Sequence, residues 1–167
     1  MPLSRRTLLG LGGALAAAGL SGVGACGRAA PAPVARRGTF EVEHDDDQWR
    51  RLLAPAQYNV LRGHGTERAF SSPLNGEHRR GTFHCAGCAL ALFSSAAKFD
   101  SGTGWPSFWA PLHGAVGEMR DSTLGMLRVE VHCRRCGGHL GHVFDDGPRP
   151  TGLRYCINGV ALDFIAA

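Results

Sequence analysis

The sequence predicts a mainly β protein: antiparallel sheets behind short N-terminal helices, closed around a structural four-cysteine metal site. Three observations carry that prediction. From Gly81 onward, short apolar segments alternate with turn residues, in a chain holding 24 glycines and 9 prolines. Arg128-Val129-Glu130-Val131-His132 alternates polar and apolar residues with the period of a strand. Four of the six cysteines form two Cys-x-x-Cys units, Cys85/Cys88 and Cys133/Cys136.

Taken in chain order, residues 1–26 read as an export leader. Ser4-Arg5-Arg6-Thr7-Leu8-Leu9 resembles a twin-arginine signal. The run from Leu8 to Leu20 is rich in Gly and Ala, and is short of the roughly 20 strongly apolar residues a membrane span needs. A transmembrane anchor is the competing reading. Val23-Gly24-Ala25-Cys26 resembles a lipoprotein cleavage site, which would make Cys26 a lipidated first residue; simple cleavage nearby is the alternative. Either outcome places the protein in the bacterial cell envelope or periplasm, exported already folded, so a metal can be loaded before export. Residues 27–40, with Pro31 and Pro33 among alanines, read as a flexible linker, and residues 41–167 as one folded domain.

In that domain, Asp45–Asp47 supply a cap and an acidic first turn, Trp49, Leu52 and Leu53 an apolar stripe, and Pro55 the start of a second short helix bearing Tyr58, Val60 and Leu61. The expected strand segments are Thr82–His84, Leu90–Phe93, Leu127–Val131, Gly141–Phe144, Tyr155–Asn158 and Val160–Phe164. Hydrophobic content of 44% with 19% charged residues excludes a disordered chain. The formal charge is only +4, two of the arginines lie in the leader, and no basic run is interleaved with aromatics, so nucleic acid is not an expected partner. Nothing points to an obligate partner subunit, and a monomer is expected.

A Cys-x-x-Cys turn holds two thiolates on one knuckle, and two such turns complete a zinc tetrahedron with no open position, hence a structural metal. The wide separation of Cys85/Cys88 from Cys133/Cys136 means that the metal would clamp two distant hairpins. Two disulfides, or a redox-active Cys-x-x-Cys, are the competing readings.

Cys156 is left over. A strand cysteine between Tyr155 and Ile157 fits a buried, inert thiol. Against that, the charge of Arg154 can lower a thiol pKa, Asn158 falls on the same strand face, and His139-Leu140-Gly141-His142 offers two imidazoles, one of which can donate a proton. Residue spacing leaves both readings open.

Three blocks together resemble the type B methionine sulfoxide reductases: Ser101-Gly102-Thr103-Gly104-Trp105-Pro106-Ser107-Phe108, His139 through Pro148, and Arg154-Tyr155-Cys156-Ile157-Asn158. The resemblance runs from about Asp47 to Phe164 and includes Gly65-Thr66-Glu67-Arg68 and both cysteine turns. It implies an Mss4-like β-tent fold and reduction of the R epimer of methionine sulfoxide, protein-bound or in a peptide. It also implies roles. Cys156 resembles the nucleophile, Trp105 the ring against the substrate methyl, and His139 and His142 the histidines of the site, with His142 the better proton donor. Asp145, Arg154 and Asn158 resemble its polar groups. One departure matters: many members carry a resolving cysteine where this chain has Thr103. Regeneration then falls to an external thiol, thioredoxin-like or of low molecular weight, without an internal disulfide. Outside the resemblance, two other classes remain: a zinc-stabilised binding module without catalysis, and a cysteine hydrolase.

Overall fold

The computed structural model describes residues 39–122 and 127–167. The predicted leader, Cys26 and the linker up to Gly38 lie outside the described residues. The domain opens on two short helices, α1 (Asp46–Leu52) and α2 (Pro55–Leu61). Asp45 caps α1 reciprocally: its carboxylate accepts from the Gln48 amide at 2.7 Å, and Gln48 accepts from the Asp45 amide at 2.9 Å. Pro55 starts α2 where its missing N–H has no partner to lose. The Tyr58 hydroxyl donates to Asp46 and ties the helices together. Phe40, at the end of the predicted linker, instead packs edge-on against His132.

Among the described residues nine strands follow: β1 (Gly81–Cys85), β2 (Ala91–Ser94), β3 (Lys98–Phe99), β4 (Ser107–Phe108), β5 (Val116–Asp121), β6 (Arg128–Cys133), β7 (His139–Phe144), β8 (Arg154–Ile157) and β9 (Leu162–Ala166). They form two antiparallel sheets, β2-β1-β9 and β3-β4-β8-β7-β6-β5. Sequence periodicity missed β3, β4 and β5. The first two are only two residues long. β5 is an edge strand with only Val116 and Met119 apolar, so its pairing with β6 defines it rather than burial.

The sheets meet over aromatic rings. Phe93 of one sheet stacks on Phe108 of the other with centroids 4.4 Å apart, and Phe83 meets Phe108 edge-on at 5.0 Å. All three are fully buried, and each contributes on the order of 1.5–3 kcal/mol of burial. Two local features then position the site. Gly141 lets β7 and β8 approach closely, because a Cβ there would lie 2.0 Å from the Cys156 carbonyl oxygen. A bulge where β6 pairs β7 sets His132 opposite His139 while Val131 stays opposite Gly141. The extra residue brings His139 and His142 toward the same carboxylate-lined face, although strict alternation would separate them.

Candidate active site

The two cysteine turns arrive from different sheets. Cys85 ends β1 and Cys88 sits in the turn toward β2; Cys133 ends β6 and Cys136 sits in the turn toward β7. Their sulfurs nevertheless converge, with Cys85 Sγ to Cys136 Sγ at 3.7 Å and Cys88 Sγ to Cys133 Sγ at 3.5 Å. Those separations are far beyond a disulfide bond of about 2.0 Å. They match the edge of about 3.8 Å in a tetrahedron whose sulfurs stand about 2.3 Å from zinc. The four thiols cannot all ionise unaided: hydrogen bonding to Cys133 pushes Cys85 and Cys136 up and Cys88 down. The donor set therefore suits a cation that stabilises four thiolates at once.

The second sulfur centre lies on the larger sheet. In antiparallel pairing, opposite residues share a face, and one row across the strands reads Ser107, Cys156, His142, Glu130. Cys156 is half-buried. It opens onto a cavity of about 140 Å³ lined in part by Thr66, Trp105, His142, Phe144 and Asn158. Thr103 Oγ1 lies 3.8 Å from Cys156 Sγ and continues through Ser101 Oγ at 2.8 Å to Ser107 Oγ at 2.7 Å. Burial pushes the Cys156 thiol up, while the Thr103 hydroxyl and the Arg154 charge pull it down. Trp105 is held by its indole N–H, which donates to the Glu67 carbonyl at 3.2 Å. Glu67 in turn receives the amides of Gly159 and Val160 at 2.5 and 3.1 Å, and its own amide donates to Asn158 at 2.9 Å. Glu67 therefore couples the indole to the turn that follows Cys156.

His142 sits 2.8 Å from Asp121 through Nε2. A carboxylate only accepts, so Nε2 carries the hydrogen and Nδ1 remains for other work. Burial, the dominant cause, holds the His142 pKa below its ordinary value, against the pull of Asp121. Arg128 donates to the same Asp121 oxygen at 2.8 Å.

The comparisons with known proteins agree with this geometry. Residues 53–166 match the SelR domain model. A peptide methionine sulfoxide reductase MsrB of Pseudomonas putida is 56% identical over 124 residues, covering 74% of this chain and 95% of that protein. The MsrB of Leptospira interrogans is 53% identical over 126 residues, covering 75% of this chain and 96% of the relative. That of Agrobacterium fabrum is 55% identical over 125 residues, covering 74% and 93%. The chain belongs to the MsrB family.

Within that family frame, the structure gathers some of the sequence-predicted residues and not others. Cys156, Trp105, His142 and Asn158 share one cavity. His139 lies beside His142, with centroids 5.4 Å apart, but is only 2% exposed and does not line the cavity. Its Nδ1 faces Glu130 at 2.7 Å. Arg154 shares the strand with Cys156, but its guanidinium is committed to both oxygens of Asp146 at 2.8 Å and lies over the Phe144 ring. Asp145 is exposed and lines a neighbouring groove with Arg128 and Val143 rather than the Cys156 cavity. The acidic residue next to it, Asp146, is the one that Arg154 engages.

Asp121, Glu130 and His64 stand against the two histidines where the sequence reading did not expect them. Glu130 reads as the polar half of an alternating strand, yet it is 3% exposed because imidazoles cover it. The repeated polar residue of β6 gave the only sequence signal, and period alone cannot tell a solvated carboxylate from a buried one.

Proposed function

We propose that the protein reduces the R epimer of methionine sulfoxide in oxidised peptides and proteins, with Cys156 as nucleophile. The observation that carries this reading is the shared cavity: one half-buried thiol, one imidazole paired to a carboxylate, one anchored indole and an apolar ring. The sulfoxide sulfur faces Cys156, its oxygen faces His142 and its methyl group packs against Trp105. Three different walls make the cavity chiral, so one epimer presents all three groups correctly and its mirror form does not. The choice of R follows the family resemblance.

The Cys156 thiolate attacks sulfur while the protonated His142 delivers a proton from Nδ1 to the oxygen. The protonated oxygen then passes from the substrate sulfur to Cys156 Sγ as the new sulfur–sulfur bond opens, so methionine leaves as the thioether and Cys156 is left as a sulfenic acid. Thr103 carries no sulfur, so a first external thiol forms a mixed disulfide with release of water and a second restores Cys156. A thioredoxin-like protein or a small thiol fits that role. His139 lies behind His142 and holds Glu130 in place, a positioning part. Cys85, Cys88, Cys133 and Cys136 would hold one structural zinc, which would bind the two sheets together and take no part in turnover.

The twin-arginine-like leader supports export to the envelope, with Cys26 as a lipid anchor and the domain acting as a monomer. Palmitate labelling that survives Cys26→Ala would remove the anchor from this reading. The activity is tested by following both epimers with dithiothreitol as reductant. Consumption of R alone supports the proposal, and consumption of neither, or of S, overturns it. Mass spectrometry after one turnover without reductant should find one added oxygen; a loss of two hydrogens would mean an internal disulfide.

A further inference from the structure

Beneath the pocket, a group of side chains that does not line the cavity stands out. His64 Nδ1 lies 3.4 Å from Glu130 Oε1, and His139 Nδ1 lies 2.7 Å from the same oxygen. The two imidazoles stack with centroids 5.0 Å apart. One donor atom from each of the three residues falls within 4.8 Å of the others. We infer that His64, Glu130 and His139 form a second divalent-metal site, of nitrogen and oxygen donors, distinct from the four-cysteine cluster.

Two imidazoles and a carboxylate are ligands that suit zinc, cobalt or nickel rather than magnesium or calcium. Ligands about 2.0–2.1 Å from such an ion stand roughly 3.4 Å apart in a tetrahedron. The His64–Glu130 separation already matches, and the His139–Glu130 pair, at 2.7 Å, has to open by about 0.7 Å. Burial points the same way. Glu130 and His139 are 4% and 2% exposed through their side chains, so an ion held between them would be shielded from water. His64 is the open side of the group at 22%, which gives an ion a way in.

The backbone supplies an independent observation. His64 sits at φ 54°, the left-handed region that a non-glycine residue seldom adopts. It is held there in a turn closed by the Gly63 amide on the Tyr58 carbonyl and the Gly65 amide on the Asn59 carbonyl. Such local strain clusters where a side chain must be aimed, and here the imidazole is aimed at Glu130. An ion bound here would restrain His139 beside His142, so the site would reach the neighbouring reaction only through the positioning part of His139.

The experiment reads metal rather than turnover, so its outcome is independent of the reductase assignment. Full-length folded domain carrying one zinc per chain is titrated with cobalt(II). A second ion per chain is expected, with visible d–d absorption and no sulfur-to-cobalt charge-transfer band. His64→Asn, which tolerates the left-handed backbone, should weaken that second site on the order of tenfold or more, with the first metal and circular dichroism unchanged. The inference is overturned if stoichiometry stays at one, or if His64→Asn binds the second ion as tightly as the parent. It is equally overturned if a charge-transfer band appears and vanishes in Cys156→Ser, which would put the ion on the nucleophile instead.

Discussion

Two sulfur centres lie in one small domain, and they are built as opposites. In the four-cysteine cluster every sulfur faces other sulfurs at 3.5–3.7 Å, and the surroundings are closed by both sheets. Cys156 has no sulfur neighbour within that range among the described residues; it faces a hydroxyl at 3.8 Å, an imidazole across the strand and a cavity. The same element suits a metal staple where other sulfurs surround it and, in the proposed reaction, a nucleophile where one direction stays open. The comparison teaches that neighbours, rather than residue type, decide what a cysteine does.

The harshest way to break the contrast is to damage the staple. Cys133→Ser should lose zinc and cooperative unfolding together, read by metal analysis and thermal denaturation. A structural zinc can contribute about 10–16 kcal/mol of apparent binding energy, comparable to a domain's entire stability of about 5–15 kcal/mol. Retention of a full metal equivalent and of the unfolding transition would refute the staple.

Cys156→Ser should do the reverse: sulfoxide reduction falls to background while zinc content and melting temperature stay near the parent's. Next in size, His142→Asn should slow methionine release by about 10²–10⁴, the usual worth of general acid help, with the fold intact in circular dichroism. A variant that keeps more than a tenth of the rate would move the acid elsewhere.

The pH profile sharpens the contrast further. In the proposed reaction, attack needs Cys156 as thiolate and His142 protonated. Burial pushes the thiol above its ordinary 9.0 and the imidazole below its ordinary 6.5. The reactive pair is therefore a minor protonation state. Below the His142 pKa the imidazole is already protonated and the rate falls with the thiolate fraction. Above the Cys156 pKa the thiolate is complete and the rate falls with the imidazolium fraction. First-turnover rates should form a broad plateau spanning neutral pH, with its acid edge below 6.5 and its basic edge above 9.0. The smallest effect is expected from Thr103→Val, which removes the hydroxyl that lowers the thiol pKa. The basic edge should move to higher pH and the plateau drop several-fold; an unmoved edge would strip Thr103 of that part.

Much of this was legible before any coordinates. The cap at Asp45, the proline at the head of α2 and the turn-rich strands follow from local chemistry that needs no partner. The cysteine turns announce themselves because both ligands of a knuckle are neighbours in sequence. β5 escaped because an edge strand is made by its partner's hydrogen bonds and not by its own apolar pattern. Asp145 and Asp146 could not be told apart, since adjacent residues of the same charge differ only in which way the backbone turns them toward Arg154.

Sequence by itself determined the inventory: two Cys-x-x-Cys turns, one cysteine outside them in the folded domain, two histidines three apart and a tryptophan in a tight glycine turn. Tertiary structure alone decided which of these meet. It put His142 and Cys156 opposite each other on neighbouring strands, turned His139 inward through a bulge and buried Glu130 under His64. The reason is physical: turns and caps are satisfied over three or four residues, whereas a strand's faces acquire their meaning only from the register of chain segments far apart in sequence.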